Sequence, residues 1–166
     1  MKIQILIYAI ILSLIISCNK DSNQNNTNSD QIIFNGYSNV EIDGSIITYD
    51  TTDWNANDSW NSNEFELFGI NSSYKICSPN QLTTPLVAYP IPNNGVFNLL
   101  ATLENGSRLA VRIVDKNYKV LLSNDSLIGS ATFNIKGLIS NDTARIYYRI
   151  INKDCELHGH GDIFVK

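Results

Sequence analysis

The stretch VFNLLATLENGSRLAVRIVD, residues 96–115, decides the fold class. In its second half Leu109, Val111 and Ile113 stand two apart, with Ala110, Arg112 and Val114 between them. That is the period of a strand with one face buried. Asn105 and Gly106 in the middle are the pair best suited to a type I′ turn, because both accept positive φ. The stretch therefore predicts a hairpin, residues 96–103 against 108–115. ARIYYRIIN (144–152) repeats the habit, Ile146, Tyr148 and Ile150 alternating with Arg145, Tyr147 and Arg149, which predicts arginines on a wet face.

Outward from these segments the chain breaks into further short β-type runs: QIIFNG (31–36), SIITYD (45–50), SYKICS (73–78), PLVAYP (85–90), KVLLS (119–123), ATFNIKG (131–137) and GDIFVK (161–166). Spacing of about 8 to 12 residues, with Asn, Gly, Asp and Pro between runs, argues an all-β sandwich or barrel. One segment departs from the β pattern. In NDSWNSNEFELFGI (57–70), Trp60, Glu64, Leu67 and Phe68 follow helical spacing, Asp58 or Ser59 can cap, and Gly69 stands where a helix would stop. A short helix is expected over 59–68.

The amino terminus has a different character. Met1 and Lys2 precede an almost wholly apolar run, residues 3–16, and the small Ser17 precedes Cys18. This is the layout of a secretory signal, too short for the ~20 residues that a membrane helix needs. Ile15, Ile16, Ser17 and Cys18 resemble the lipobox of bacterial lipoproteins. That resemblance implies removal of residues 1–17 and acylation of Cys18, each buried methylene contributing ~0.8 kcal/mol to membrane attachment. Residues 18–31, rich in Asn, Ser and Asp and free of aromatics, are too polar to bury a core and read as a tether of ~20 Å span. The remaining 32–166 form one domain of ordinary size.

Charge excludes one class of partner. Between Cys18 and Ile70 there are nine acids against Lys20, a net of −8, while 71–166 carries ten Lys and Arg against seven acids, a net of +3. With no Lys/Arg cluster, the footprint of nucleic-acid binding is missing. Gly-rich phosphate loops, G-x-S-x-G, H-E-x-x-H and Cys-x-x-Cys motifs are absent too, so no catalytic residues, cofactor or metal are assigned.

Residues 86–166, through VAYPIPNNGVFNLLATL, LAVRIVDKNYKVLLS and ARIYYRIINKDCELHGHGDIFVK, resemble the C-terminal sorting domain of the type IX secretion system in Bacteroidota. The resemblance implies an immunoglobulin-like β-sandwich of some seven strands. In it Pro90, Pro92 and Gly95 shape the approach to the first core strand, Asp115 opens the turn after the central one, and a hairpin closes the chain. Ile91 stands where that family has Asn, and Asn117-Tyr118 where it has a Gly-containing turn, so what carries over is the fold rather than the sorting function. Upstream, DTTDWNANDSWNSNEFELF (50–68) is similar in layout to a segment of small Bacteroidota lipoproteins, a resemblance that supplies no activity.

Several constellations invite a chemical reading. Cys77 and Cys155 would pair in an oxidising envelope. His158, His160 and Asp162 could alternate toward a metal on one strand face, but a Gly-rich turn with two exposed imidazoles is the simpler expectation. Asp50, Asp53, Asn55, Asn57 and Asp58 could wrap calcium, although the glycine and distal Glu of a calcium loop are missing. Trp54 and Trp60, with Asp50, Asp53 and Asp58, are the expected contact surface for an envelope protein or glycan. The expected function is a non-enzymatic binding or adhesion lipoprotein held on the outer membrane through Cys18. The alternatives are a small hydrolase drawing carboxylates from Asp50, Asp53 and Glu64, and a structural spacer.

Overall fold

A computed structural model describes residues 31–56, 59–70, 75–77 and 86–166. They form an all-β, sandwich-like fold with one short helix. The strands are β1 (Asn39–Val40), β2 (Ile46–Thr48), β3 (Asn55–Ala56), β4 (Leu86–Tyr89), β5 (Val96–Ala101), β6 (Arg108–Val114), β7 (Val120–Leu127), β8 (Ala131–Asn134), β9 (Asp142–Ile151) and β10 (Glu156–Val165). The helix, α1, spans Ser62–Glu66. β3-β10-β9-β6-β7 make one sheet, β4-β5-β8 a second, and β1-β2 a separate hairpin. All strand pairs are antiparallel, and the chain from β4 to β10 passes between the two larger sheets in the Greek-key manner of immunoglobulin-like sandwiches.

Strand periodicity builds the core. Phe97, Leu99 and Ala101 of β5 and Phe133 of β8 meet Leu109, Val111 and Ile113 of β6, Ala144, Ile146, Tyr148 and Ile150 of β9, and Leu157, Ile163 and Val165 of β10, all buried in one cluster. Each large apolar side chain buried this way contributes about 1.5–3 kcal/mol.

The expected 96–115 hairpin does not form. β5 pairs with β4 and β8, and β6 with β7 and β9, so the two runs lie in opposite sheets and face each other across the core. The turn between them is present: Ser107 N donates to Glu104 O at 3.0 Å. Gly106 has φ 87° but Asn105 is not among the positive-φ residues, which is the type II pattern rather than type I′. The physical reason lies in burial. Both strands carry alternate core residues, and splitting them between sheets lets each set cover the other.

Two loops explain how the elements meet. Asn93 Oδ1 accepts from Gly95 N at 2.7 Å, and a Cβ on Gly95, at φ 88°, would lie 2.7 Å from the Lys136 backbone, so this approach to β5 admits only glycine. Asp115 Oδ1 accepts from Asn117 N and Lys119 N at 2.8 and 3.0 Å, closing the β6–β7 turn. Tyr118 in that turn takes φ 59°, a conformation costly for a side chain of this size. Its ring stacks on Tyr147 at 6.3 Å, which holds it there.

Cys77 and Cys155 are joined by a disulfide with a Cα–Cα distance of 4.9 Å. Cys77 N donates to Glu156 O, and Glu156 N to Lys75 O, at 2.9 and 3.0 Å, so residues 75–77 run beside the start of β10. The bridge fastens that short segment to the β9–β10 hairpin.

Candidate functional site

The outer face of the five-stranded sheet was expected to be wet, and it is covered. Register places Ala110, Arg112 and Val114 of β6, Arg145, Tyr147 and Arg149 of β9, and Glu156, His158, His160 and Asp162 of β10 on that face. Over it lie Ile32, Phe34, Trp60, Phe65, Leu67, Phe68 and Tyr118, a second hydrophobic cluster with Val114 and Tyr147. The arginines are therefore paired beneath a lid. Arg149 meets Glu156 at 2.5 Å, and Arg145 donates from Nε and Nη2 to the two oxygens of Asp162 at 2.7 and 2.8 Å. Arg112 donates to Leu67 O at 2.9 Å and lies over the Phe68 ring at 4.8 Å. Buried pairs of this kind are costly to half-remove, because the remaining charge has no water to turn to.

The lid is the segment expected to be a binding surface. α1 starts later than the 59–68 expected: Asn61, not Asp58 or Ser59, is the N-cap, taking Asn63 N and Glu64 N on its side chain while Glu64 Oε2 accepts from Asn61 N at 2.6 Å. This is a capping box, and Trp60 just before the cap packs edge-on against Phe65 at 5.6 Å as its hydrophobic staple. Trp60 also stacks on Phe68 at 5.2 Å and lies 4.5 Å from the His158 ring, so it is buried and no exposed platform exists at this position.

Trp54 is half-buried. Its backbone N–H donates to His160 O at 2.7 Å and its ring fills the space a Cβ on Gly161 would need, 2.4 Å away. Gly159 likewise makes room for the Tyr148 hydroxyl, which donates to Asn55 O at 2.8 Å. The HGHGD sequence is consequently mid-strand β10 with His158 buried, not a turn with exposed imidazoles. Its glycines serve close packing from both sides.

The carboxylates are engaged. Asp53 is buried, its Oδ2 accepting from Ser38 N and Oγ at 2.8 and 3.0 Å and its Oδ1 from Asp162 N at 3.0 Å. Burial pushes its pKa up, with the Asp162 charge adding to the effect. Asp50 Oδ1 accepts from Thr52 Oγ1 and N at 2.7 and 2.8 Å, bonds that hold its pKa below the usual aspartate range. Glu64 Oε1 accepts from the Tyr147 hydroxyl at 2.8 Å, and burial first and the Glu64 charge second push that phenol's pKa up, keeping it protonated. Asp53 and Glu64 therefore tie the 50–53 turn and α1 to the rest of the fold, while Asp50 closes its own turn with Thr52. Asn57 and Asp58 of the imagined calcium loop, and Cys18, lie outside the described residues. Among the described residues no group of three or more His, Cys, Asp and Glu side chains is placed to hold a metal ion.

The β1–β2 hairpin, whose pairing the run SIITYD alone did not reveal, carries exposed apolar side chains, as Ile33, Ile76, Ile128 and Leu138 do singly elsewhere. Asp43-Gly44 was the available signal, since this pair between apolar residues marks tight turns. Gly44 N donates to Glu41 O and Glu41 N to Ser45 O, at 3.0 and 2.9 Å, and Asp43 Oδ1 accepts from Ser45 N at 2.9 Å. Ile42, Ile46, Ile47 and Tyr49 are 77, 54, 58 and 55% exposed. Ile42 also lines an open groove of 610 Å³ with Pro90, Pro92, Val96 and Lys166. A second groove, 440 Å³, runs between α1 and the β6–β7 turn, lined by Asn63, Glu66, Leu67, Asn117, Tyr118 and Val120.

Contiguous apolar exposure on a surface marks contacts with proteins, membranes or ligands. Comparison with protein families, with characterised proteins and with solved structures found no match to this chain, so the geometry alone carries the functional reading.

Proposed function

We propose that this protein is a lipoprotein of the bacterial cell envelope, anchored by lipid on Cys18, whose sandwich is a non-enzymatic module that binds a protein partner. The observation that carries the reading is the exposed apolar hairpin: Ile42, Ile46, Ile47 and Tyr49 stand in water on a body whose acidic and aromatic groups from 50 to 68 are otherwise built into the fold. The contact surface is therefore moved from Trp54, Trp60, Asp50 and Asp53 to residues 39–49. A small hydrolase is less well supported, because Asp50, Asp53 and Glu64 each serve a separate structural bond. A plain spacer would have no reason to gather four large exposed apolar side chains within residues 42–49.

The leader, Cys18 and the polar tether support the anchor and its place on the outer membrane. Labelled palmitate fed to cells producing the chain tests the reading. Incorporation into the wild type, and its loss together with envelope association in Cys18→Ser, is the expected result. An unlabelled chain, or a Cys18→Ser chain still sedimenting with envelopes, overturns it.

A further inference from the structure

We infer that the free edge of β2 is a strand-addition site for an extended, cationic segment of the partner protein. The inference rests on the binding-module reading above and deepens it. Among the described residues β2 pairs only with β1, and all three of its residues, Ile46, Ile47 and Thr48, are exposed. An edge strand with unpaired backbone N–H and C=O groups is a template for another chain. Soluble proteins usually blunt it with Lys, Pro or a covering loop. Here shortness and a register irregularity at Asn39–Val40 are the blunting devices present, while Lys and Pro are absent: the strand is Ile-Ile-Thr, and residues 31–56 contain no Lys, Arg or Pro.

β1 is fixed to the body on its other side, Val40 N donating to Ile91 O and Ile91 N to Val40 O at 2.9 and 2.8 Å, so the hairpin offers a held edge. Pairing would supply main-chain hydrogen bonds, while side chains of alternating direction contact Ile46 and Thr48 on one side and Ile47 on the other.

Charge selects the occupant. Glu41 and Asp43 lie in the turn that joins β1 to β2 and Asp50 follows β2 by two residues, and the hydrogen bonds from Ser45 and Thr52 keep the Asp43 and Asp50 carboxylates ionised. A second copy of this chain would bring the same acids face to face, and the anionic surface of a membrane would be repelled. A segment alternating apolar residues with Lys or Arg satisfies both the edge and the field around it.

The test uses the full lipidated chain in zwitterionic detergent and a synthetic peptide of about eight residues alternating valine and lysine, an ordinary strand length. Titration followed by backbone NMR or calorimetry is expected to give saturable binding. Ile47→Lys, which adds a charge at a position 58% exposed, weakens it about tenfold or more. Methylating alternate amides of the peptide abolishes binding without touching the protein, and replacing its lysines by glutamates does the same. Equal binding of the N-methylated peptide overturns strand pairing. Equal binding of the glutamate peptide overturns the charge argument. A dimer by sedimentation that Ile47→Lys dissolves, or recruitment to vesicles through the hairpin, assigns the edge to a second copy or to lipid and also overturns the inference. Cys18→Ser purified in the same detergent binds the peptide unchanged, so failure of the anchor and failure of strand addition are read separately.

Discussion

Reduction of the Cys77–Cys155 bridge removes a covalent constraint whose effect on stability can be worked from the structure. The cysteines are separated by 78 residues. Closing a loop of that length in the unfolded chain removes about 15 cal/mol/K of entropy, or about 4.5 kcal/mol at 25 °C, and measured bridges commonly return 2–4 kcal/mol of such values. A folded unit of roughly 135 residues has an unfolding entropy of about 280 cal/mol/K, so losing 3–4.5 kcal/mol lowers Tm by about 10–16 °C. The assay is calorimetry of the oxidised chain, of the same chain under reductant, and of Cys77→Ala/Cys155→Ala. The two perturbed forms should melt close together. Hydrogen exchange should also speed up first at Cys77 and Glu156, whose amides bond across the seam between 75–77 and β10. A Tm change below about 3 °C would refute the reasoning, since the entropic gain would then be absent whatever its exact size. So would two free thiols in the non-reduced chain.

Other perturbations probe the lid and the sheet beneath it. Arg149→Met leaves Glu156 buried without its partner and should destabilise by about 3–5 kcal/mol, whereas Arg149→Met/Glu156→Leu should recover most of that loss; denaturant unfolding of all three chains checks it. Gly161→Ala pushes a Cβ into the Trp54 ring, 2.4 Å away, and should cost about 1–3 kcal/mol, but much less in a Trp54→Gly background where the clash is gone. A double-mutant cycle with zero coupling contradicts the contact. Asp53 has its pKa raised in the fold, so the native state holds the proton more tightly than the unfolded chain. Its contribution is stabilising below the ordinary aspartate pKa and is lost as pH rises through the raised native value. Asp53→Asn should therefore remove a fall in stability with rising pH across that acidic window, measured as the difference between the two chains' melting profiles.

Strand periodicity made β4, β5, β6 and β9 legible, because each carries buried core residues two apart and no glycine. Partner choice was not legible. The Asn105-Gly106 turn was found at its place, yet nothing local distinguishes a turn that folds a strand back in its own sheet from one that carries it across the core. β10 was half missed, since Gly159 and Gly161 look like a loop in one dimension and only reveal their use once Tyr148, Asn55 and Trp54 are seen packed against them. The arginines of β9 were placed in water for a related reason. Alternation assigns a face but not what covers it, and the cover comes from residues 32–34 and 60–68, far off in sequence. Two of the chosen surface residues, Asp53 and Trp60, are buried for the same reason: they are hydrophilic or amphipathic residues whose partners, Ser38, Asp162, Phe65, Phe68 and His158, had to be brought together by the sandwich first.

Intact-mass spectrometry of the chain extracted from envelopes tests the anchored-module account most directly. The account predicts a polypeptide beginning at Cys18, heavier than its residues by a diacylglycerol and fatty acyl load and fragmenting to place that load on Cys18. A chain that retains residues 1–17, or one that begins near this position with no added lipid, would contradict it.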